Sequence, residues 1–236
     1  MRKITEWVLD LLYPRRCIMC DTILMHGESD ICRSCKTEVQ IIGDPYCMKC
    51  GKMLEQEEAE WCRDCQLHPH VFERGRSLFL YEGRVKKSLY LFKYGGRKEY
   101  AKAYAALAKQ WLGEYIRKIQ PQALVPVPLH RKRYRVRGYN QSEVFAKELG
   151  RRMGIPVASK LVQRVKNTLP QKELALQERQ NNLKKAFKIS ENDVKLDTII
   201  IIDDIYTTGS TMDALSAALK ESGVRSVYFL TISGGR

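Results

Sequence analysis

The spacing of apolar positions changes along this chain, and each change predicts a different element. Near the N-terminus Ile4, Trp7, Val8, Leu11 and Leu12 recur at helical spacing, which predicts a short amphipathic helix over 4–13 that stops before Pro14. From residue 77 onward strand-like and helix-like stretches take turns. Ser77–Tyr81 reads as a strand, 84–93 and 98–118 as helices, and Ala123–Val127 as a buried strand. Gln141–Met153 follows as a helix and 160–165 as a short strand. The polar stretch 167–190 is partly helical in pattern around Leu174–Phe187. Thr198–Ile202 is a strand, 212–222 a helix ending at Gly223, and 225–231 a final strand. This alternation predicts an α/β domain with a mainly parallel sheet. The β-branched run Thr198–Ile202 has no polar alternation, as expected of a central strand covered on both faces.

The first 65 residues follow another logic. All eight cysteines lie there, as the pairs Cys17/Cys20, Cys32/Cys35, Cys47/Cys50 and Cys62/Cys65. Nothing in the sequence points to secretion, and cytosolic thiols stay reduced, so disulfides fit poorly. A redox pair would need one C-x-x-C rather than four in series. A C-x-x-C turn brings two thiolates to one side of a metal, and a second turn a dozen residues on closes a tetrahedral shell. Structural zinc, one or two ions, is therefore the reading. Sequential pairing (Cys17, Cys20, Cys32, Cys35; Cys47, Cys50, Cys62, Cys65) is the simplest, with interleaved pairing left open by spacing. Gly51 suits the tight turn after Cys50. His68 and His70 are alternative ligands by position, but with eight thiolates present they read as linker residues.

Charge divides the chain at the same place. Residues 1–65 carry 9 Lys+Arg and 12 Asp+Glu, a net of −3, and the rest carries a net of +17. A basic unit of that size attracts polyanions, whether nucleic acid, phosphorylated small molecules or an acidic membrane face. No stretch approaches the roughly 18 uncharged apolar residues of a membrane span, and Glu6 and Asp10 interrupt the N-terminal pattern, so a cytoplasmic location is expected. The expected organisation is 1–65 as helix plus double zinc ribbon, 66–76 as linker, and 77–236 as the α/β domain.

The chemistry concentrates in Thr198–Thr211, T-I-I-I-I-D-D-I-Y-T-T-G-S-T. Asp203 and Asp204 are expected to end the strand, where open α/β sheets bind ligands. Adjacent carboxylates there need hydrogen-bond donors, and sugar hydroxyls supply them. Thr207, Thr208, Gly209, Ser210 and Thr211 then precede a helix. Small residues let backbone N–H groups close around a phosphate, assisted by hydroxyls and the helix N-terminus. A Walker A loop would need G-K-[ST] here. Asp204 as a turn residue and Thr211 as N-cap would explain only part of the segment.

IIIIDDIYTTGST resembles the phosphoribosyl-pyrophosphate (PRPP) motif of type I phosphoribosyltransferases. LYPRRCIMC (11–20), CMKCG (47–51), LFKYGGR (91–97), VPVPLHRKRYRVRGYNQ (125–141) and the set Gln171, Glu178, Arg179, Asn182 and Phe187 narrow the resemblance to the ComF family of bacterial natural competence. That resemblance implies a phosphoribosyltransferase-like fold, with Asp203 and Asp204 on the ribose hydroxyls and as the catalytic candidates. It places Thr207, Thr208, Gly209, Ser210 and Thr211 on the 5-phosphate. A pyrophosphate loop is implied around Leu129, His130 and Arg131, without the small-residue-plus-Lys/Arg-Gly form usual in active enzymes. It further implies Mg²⁺ bound with PRPP, and a ComFA-like helicase and recombination-mediator proteins as partners. The location implied is cytoplasmic or peripheral at the inner face of the membrane, through the uptake machinery.

Two basic-aromatic sites complete the reading. Arg131, Lys132, Arg133, Arg135 and Arg137 lie close together with Tyr134 and Tyr139, and Lys93 and Tyr94 precede Gly95 and Gly96. Cations neutralise a nucleic-acid backbone and rings stack on bases. For single-stranded DNA the candidates are Lys93, Tyr94, Arg97, Arg131, Arg133, Arg135 and Tyr139, and 167–190 is a candidate lid or partner-binding arm. Two functions compete: a binding protein of DNA uptake that holds PRPP or the sugar–phosphate unit of a single strand, and a PRPP-dependent phosphoribosyltransferase acting on a base or nucleotide.

Overall fold

The computed structural model describes residues 14–25, 27–165, 186–190 and 195–236. The helix expected over 4–13, the helical stretch before 186, His26, and Gln171, Glu178, Arg179 and Asn182 lie outside the described residues.

Four parallel strands form the sheet: β1 (Gly75–Leu80), β2 (Ala123–Pro126), β5 (Thr198–Tyr206) and β6 (Ser226–Gly234), in the order β1-β6-β5-β2. A separate antiparallel pair, β3 (Val162–Arg164) and β4 (Phe187–Ile189), lies outside it. Two short helices, α1 (Arg33–Glu38) and α2 (Arg63–Leu67), belong to the cysteine-rich region. The remaining helices are α3 (Gly83–Tyr94), α4 (Tyr100–Ile119), α5 (Arg131–Arg137), α6 (Gln141–Met153) and α7 (Ser210–Glu221).

The isoleucine run behaves as its composition predicts. Ile199 to Ile202 are fully buried and alternate between two cores. Ile200, Ile202, Leu124 and Leu230 face α3, α4 and α6, whereas Ile199, Ile201, Val125 and Phe229 face α7. Each such side chain contributes roughly 1.5–3 kcal/mol on burial.

The cysteines are divided between these cores. Cys17 and Cys35 pack with Val85, Phe92 and Tyr104 on one face. Cys47, Cys50 and Cys65 pack with Phe72, Tyr206 and Leu215 on the other. Residues 66–76 are tied down between them. Phe72 is fully buried, and the Glu73 and Gly75 amides donate to the Val227 and Lys49 carbonyls. Gly51 (φ +72) lies so close to β1 that a Cβ there would stand 2.4 Å from the Gly75 oxygen.

One local expectation is corrected. β5 does not end before the acid pair: it continues to Tyr206, because β6 keeps pairing with it as far as Tyr206↔Gly234. Arg131–Arg137 forms a helix that the sequence pattern does not announce. No residue of it is buried, so it shows no apolar stripe in the sequence. The His130 Nδ1 accepts from the Lys132 amide at its start, and Gly138 (φ +76) stops it.

Candidate functional site: an acid pair, a small-residue cup and two thiol tetrads

The acid pair stands where one neighbour of β5 has ended. β2 pairs only to Pro126↔Ile202, so from Asp203 onward β5 keeps β6 on one side and is open on the other. The Asp203 Oδ1 accepts from the Ser142 hydroxyl at 2.7 Å and from the Asp204 amide at 2.9 Å. Ser142 is held by the N-cap of α6: the Asn140 side chain accepts from its amide and donates to the Val127 carbonyl. Burial, then the charge of Asp204, pushes the Asp203 carboxyl up to about 7, against the opposing effects of Ser142, the Asp204 amide and Lys93.

Lys93 closes the other side. Its Nζ lies 3.0 Å from the Asp204 Oδ2, with the two side chains only 17% and 14% exposed. Lys93 thus sits at the last turn of α3 beside the acid pair, with its ammonium directed to Asp204.

The cup follows immediately. Thr207 and Thr208 are exposed, Ser210 and Thr211 half-buried, and Gly209 is buried with φ +81 as the N-cap of α7. The Thr208 and Ser210 hydroxyls meet at 3.0 Å. Ile205, Tyr206, Thr207, Thr208, Gly209, Thr211 and Met212 line a small concavity at the helix N-terminus, where backbone N–H groups lack partners within the helix. A Cβ on Gly209 would stand 2.7 Å from the Tyr206 hydroxyl and 2.9 Å from the His70 ring, so those two groups pack directly against Gly209.

His70, which sequence reasoning left in a linker, is therefore part of the site's support. Its Nδ1 lies 2.8 Å from the Asp213 Oδ2, and Asp213 Oδ1 accepts from the Val71 amide. The ring stacks on Phe72 at 4.7 Å and is 5% exposed, and Phe72 packs edge-on against Phe229. Tyr206 in turn lies beside the second cysteine set: burial and the neighbouring Cys50 and Cys65 push its phenol well above the usual range.

The thiols pair sequentially. Cys17, Cys20, Cys32 and Cys35 form one group and Cys47, Cys50, Cys62 and Cys65 the other, each with its sulfurs within 4.8 Å of one another. Cys20 and Cys32 are 3.8 Å apart, and Cys50 and Cys62 3.7 Å. These separations match the edge of a tetrahedron with Zn–S bonds of about 2.3 Å. All-sulfur shells of this kind suit zinc, leave no open position, and make both sites structural.

The basic-aromatic candidates separate into an exposed group and a packed one. Arg131 and Arg135 are exposed on α5 and Arg133 is half-exposed. Tyr94, 54% exposed, lies under the Arg137 guanidinium at 4.7 Å and donor-acceptor contact at 2.8 Å joins the two. Tyr90, not singled out from the sequence, lies beside Tyr94 at 5.3 Å and extends that surface. Arg97 and Tyr139 make contacts within the protein. Arg97 pairs with Asp21 at 2.6 Å, and the Tyr100 hydroxyl donates to the same carboxylate. Tyr139 is buried, with its hydroxyl donating to the Phe92 carbonyl, so neither of its ring faces is free to stack.

Among the described residues no helix is long and apolar enough to cross a membrane.

Comparison with known proteins agrees with this arrangement. Residues 8–66 match a double zinc ribbon domain, and residues 140–235 a phosphoribosyl transferase domain. Competence protein F of Haemophilus influenzae is 38% identical over 109 residues, 45% of this chain and 48% of the relative, so this match spans about half the length of that protein. DNA utilization protein YhgH of Salmonella typhimurium is 32% identical over 165 residues, covering 67% of this chain and 71% of the relative. Competence protein ComFC of Bacillus subtilis is 29% identical over 164 residues, 65% and 60% of the two chains. A double zinc ribbon set against a phosphoribosyltransferase-like sheet, in a chain with these relatives, makes this a member of the ComF family.

Proposed function

We propose that this protein serves the uptake and handling of transforming DNA by binding a phosphoribosyl ligand, PRPP with Mg²⁺, at Asp203, Asp204 and residues 207–211, and single-stranded DNA on a separate face. The observation that carries the reading is the junction of an acid pair with a small-residue cup at the carboxyl end of β5. Carboxylates accept from a vicinal diol, while the cup and the N-terminus of α7 receive the 5-phosphate. Mg²⁺ would be held mostly by pyrophosphate oxygens and water.

The chemistry of the acid pair also separates the two ligands. A deoxyribose inside a DNA strand has no free hydroxyl, and its phosphates are repelled by two carboxylates. The strand instead belongs on Tyr90, Tyr94, Tyr134 and the cations of α5, where rings and positive charge are exposed together. Calorimetry with PRPP–Mg²⁺ and a short oligonucleotide, singly and together, tests this. Both should bind, independently, and strand affinity should fall steeply with salt and with Arg131→Ala combined with Arg135→Ala. Mutually exclusive binding would overturn the separation, and no PRPP binding would overturn the site.

Ionisation of Asp203 gives a second check. Only its carboxylate form accepts from two hydroxyl donors, so PRPP affinity should rise as pH climbs through about 7. Burial sets this value first, then the charge of Asp204, opposed by Ser142, the Asp204 amide and Lys93. Asp203→Asn should flatten the profile, and a profile unchanged by that substitution would remove Asp203 from the site.

The phosphoribosyl transferase domain match favours turnover as a second reading. Pyrophosphate would leave the sugar and an acceptor base or nucleotide would take its place. Pyrophosphate release across an acceptor panel, abolished by Asp204→Ala, is its test.

A further inference from the structure

Lys52 is the only Lys or Arg buried among the described residues, at 7% exposure, although the chain carries 41 of them. The C-x-x-C turn of the second tetrad fixes its place. The Gly51 amide donates to the Cys47 carbonyl at 2.8 Å, and the Cys47 amide donates to the Lys52 carbonyl at 2.7 Å. The Lys52 Nζ donates to the Asp64 Oδ2 at 2.6 Å. That single carboxylate does not explain the burial, because its side chain is 60% exposed and water screens the pair. A buried ammonium without adequate counter-charge is costly.

The rest of the counter-charge stands in the tetrad. Cys50 lies two residues before Lys52 and Cys62 two residues before Asp64, and both sulfurs act on the ammonium as negative neighbours. Zinc held by four thiolates keeps a surplus of negative charge. An ammonium beside it offsets that surplus in a place that water hardly reaches. Among the described residues the first tetrad has no buried cation. The cation near it, Arg84, donates twice to Glu38, and those two side chains are 34% and 50% exposed. Cys20 and Cys32 are both half-exposed and meet the neutral hydroxyls of Thr22 and Ser34 at 2.9 and 3.3 Å. In the second tetrad Cys62 alone is half-exposed.

We infer that Lys52 is the charge partner that retains zinc in the second tetrad, and that the first tetrad, without a buried cation, gives up its metal first. The first tetrad packs with residues of α3 and the second with Phe72 and Tyr206. Early metal loss therefore reaches the helix of Tyr90 and Tyr94 before it reaches the cup.

The test exposes the full, zinc-loaded chain to a chromogenic zinc chelator. Freed thiols are trapped with iodoacetamide and located by peptide mass spectrometry. In the wild type zinc should leave in two phases at least about tenfold apart in rate, with Cys17, Cys20, Cys32 and Cys35 alkylated in the first. Lys52→Met should speed the second phase by about tenfold or more and leave the first within about twofold. Lys52→Arg, which keeps a cation, should keep most of the slow phase. Asp64→Asn should speed it less than Lys52→Met does, since the ammonium still faces the thiolates. Circular dichroism checks that each variant folds. Alkylation of both tetrads together in the wild type, or of the second one first, would overturn the inference, whether or not Lys52→Met folds. Equal acceleration of both phases in Lys52→Met would reduce Lys52 to a general support of the fold. An unchanged second phase would remove it from the metal site. An effect of Asp64→Asn as large as that of Lys52→Met would assign the retention to the ion pair alone. Each of these three outcomes overturns the role given to Lys52.

Discussion

The two thiol tetrads have the same ligands and the same C-x-x-C turns, but they lie on opposite faces of the sheet and support different things. The first tetrad is fastened to α3 and α4. Ser88 donates to the Ile18 carbonyl, and Asp21 receives Arg97 and Tyr100. The second lies behind the cup, with Tyr206, Phe72 and His70 between the sulfurs and Gly209. Equivalent chemistry in equivalent sequence thus has unequal consequences, because what a metal site supports depends on the core it enters.

Removal of both metals should have the largest effect. Structural zinc can contribute on the order of 10 kcal/mol or more, comparable with the whole stability of a domain of this size, about 5–15 kcal/mol. Four of the eight cysteines are fully buried in the cores that the sheet shares. Chelation is therefore expected to melt the α/β sheet together with the cysteine-rich region, followed by circular dichroism and zinc release. Loss of residues 1–65 alone, with the sheet intact, would instead support a division into two folding units.

Single-ligand variants sharpen the contrast. Cys62→Ser and Cys32→Ser remove half-exposed sulfurs from corresponding places in the two tetrads. Cys62→Ser should lower affinity for PRPP by roughly tenfold, whereas Cys32→Ser should change it by less than about threefold. Equal effects, measured by calorimetry at matched zinc content, would mean that the cup does not depend on the tetrad beneath it.

A smaller effect is expected from Asp21→Ala. It leaves Arg97 and the Tyr100 hydroxyl without their shared acceptor, a loss of about 1–3 kcal/mol. Thermal melting should register it, and PRPP affinity should not. A change in affinity would join the first tetrad to the sugar site and end the contrast.

Features carried by local pattern were legible in the sequence, and those assembled from distant parts were not. Gln141–Met153 appears where its periodicity places it. The sequential tetrads follow from turn spacing. His70 gave no signal, because its partner Asp213 is 143 residues away and its position depends on the complete sheet. Lys93 and Tyr94 show a related effect. Neighbours in sequence, Lys93 and Tyr94, suggested one basic-aromatic surface, but on a helix adjacent residues point about 100° apart. The acid pair was recognised, yet its strand was ended too early. Aspartates are poor strand formers, and continued pairing with β6 overrides that tendency.

Gly209 makes one consequence of the second tetrad's placement concrete. Even an added methyl group there would meet both the Tyr206 hydroxyl and the His70 ring, on a backbone already at φ +81. The position is thus closed to mutation from two directions, by torsion and by crowding. Compensating for a change at 209 would mean redesigning the segment that follows the second tetrad, so the amino-terminal region restricts which residues the loop before α7 can evolve.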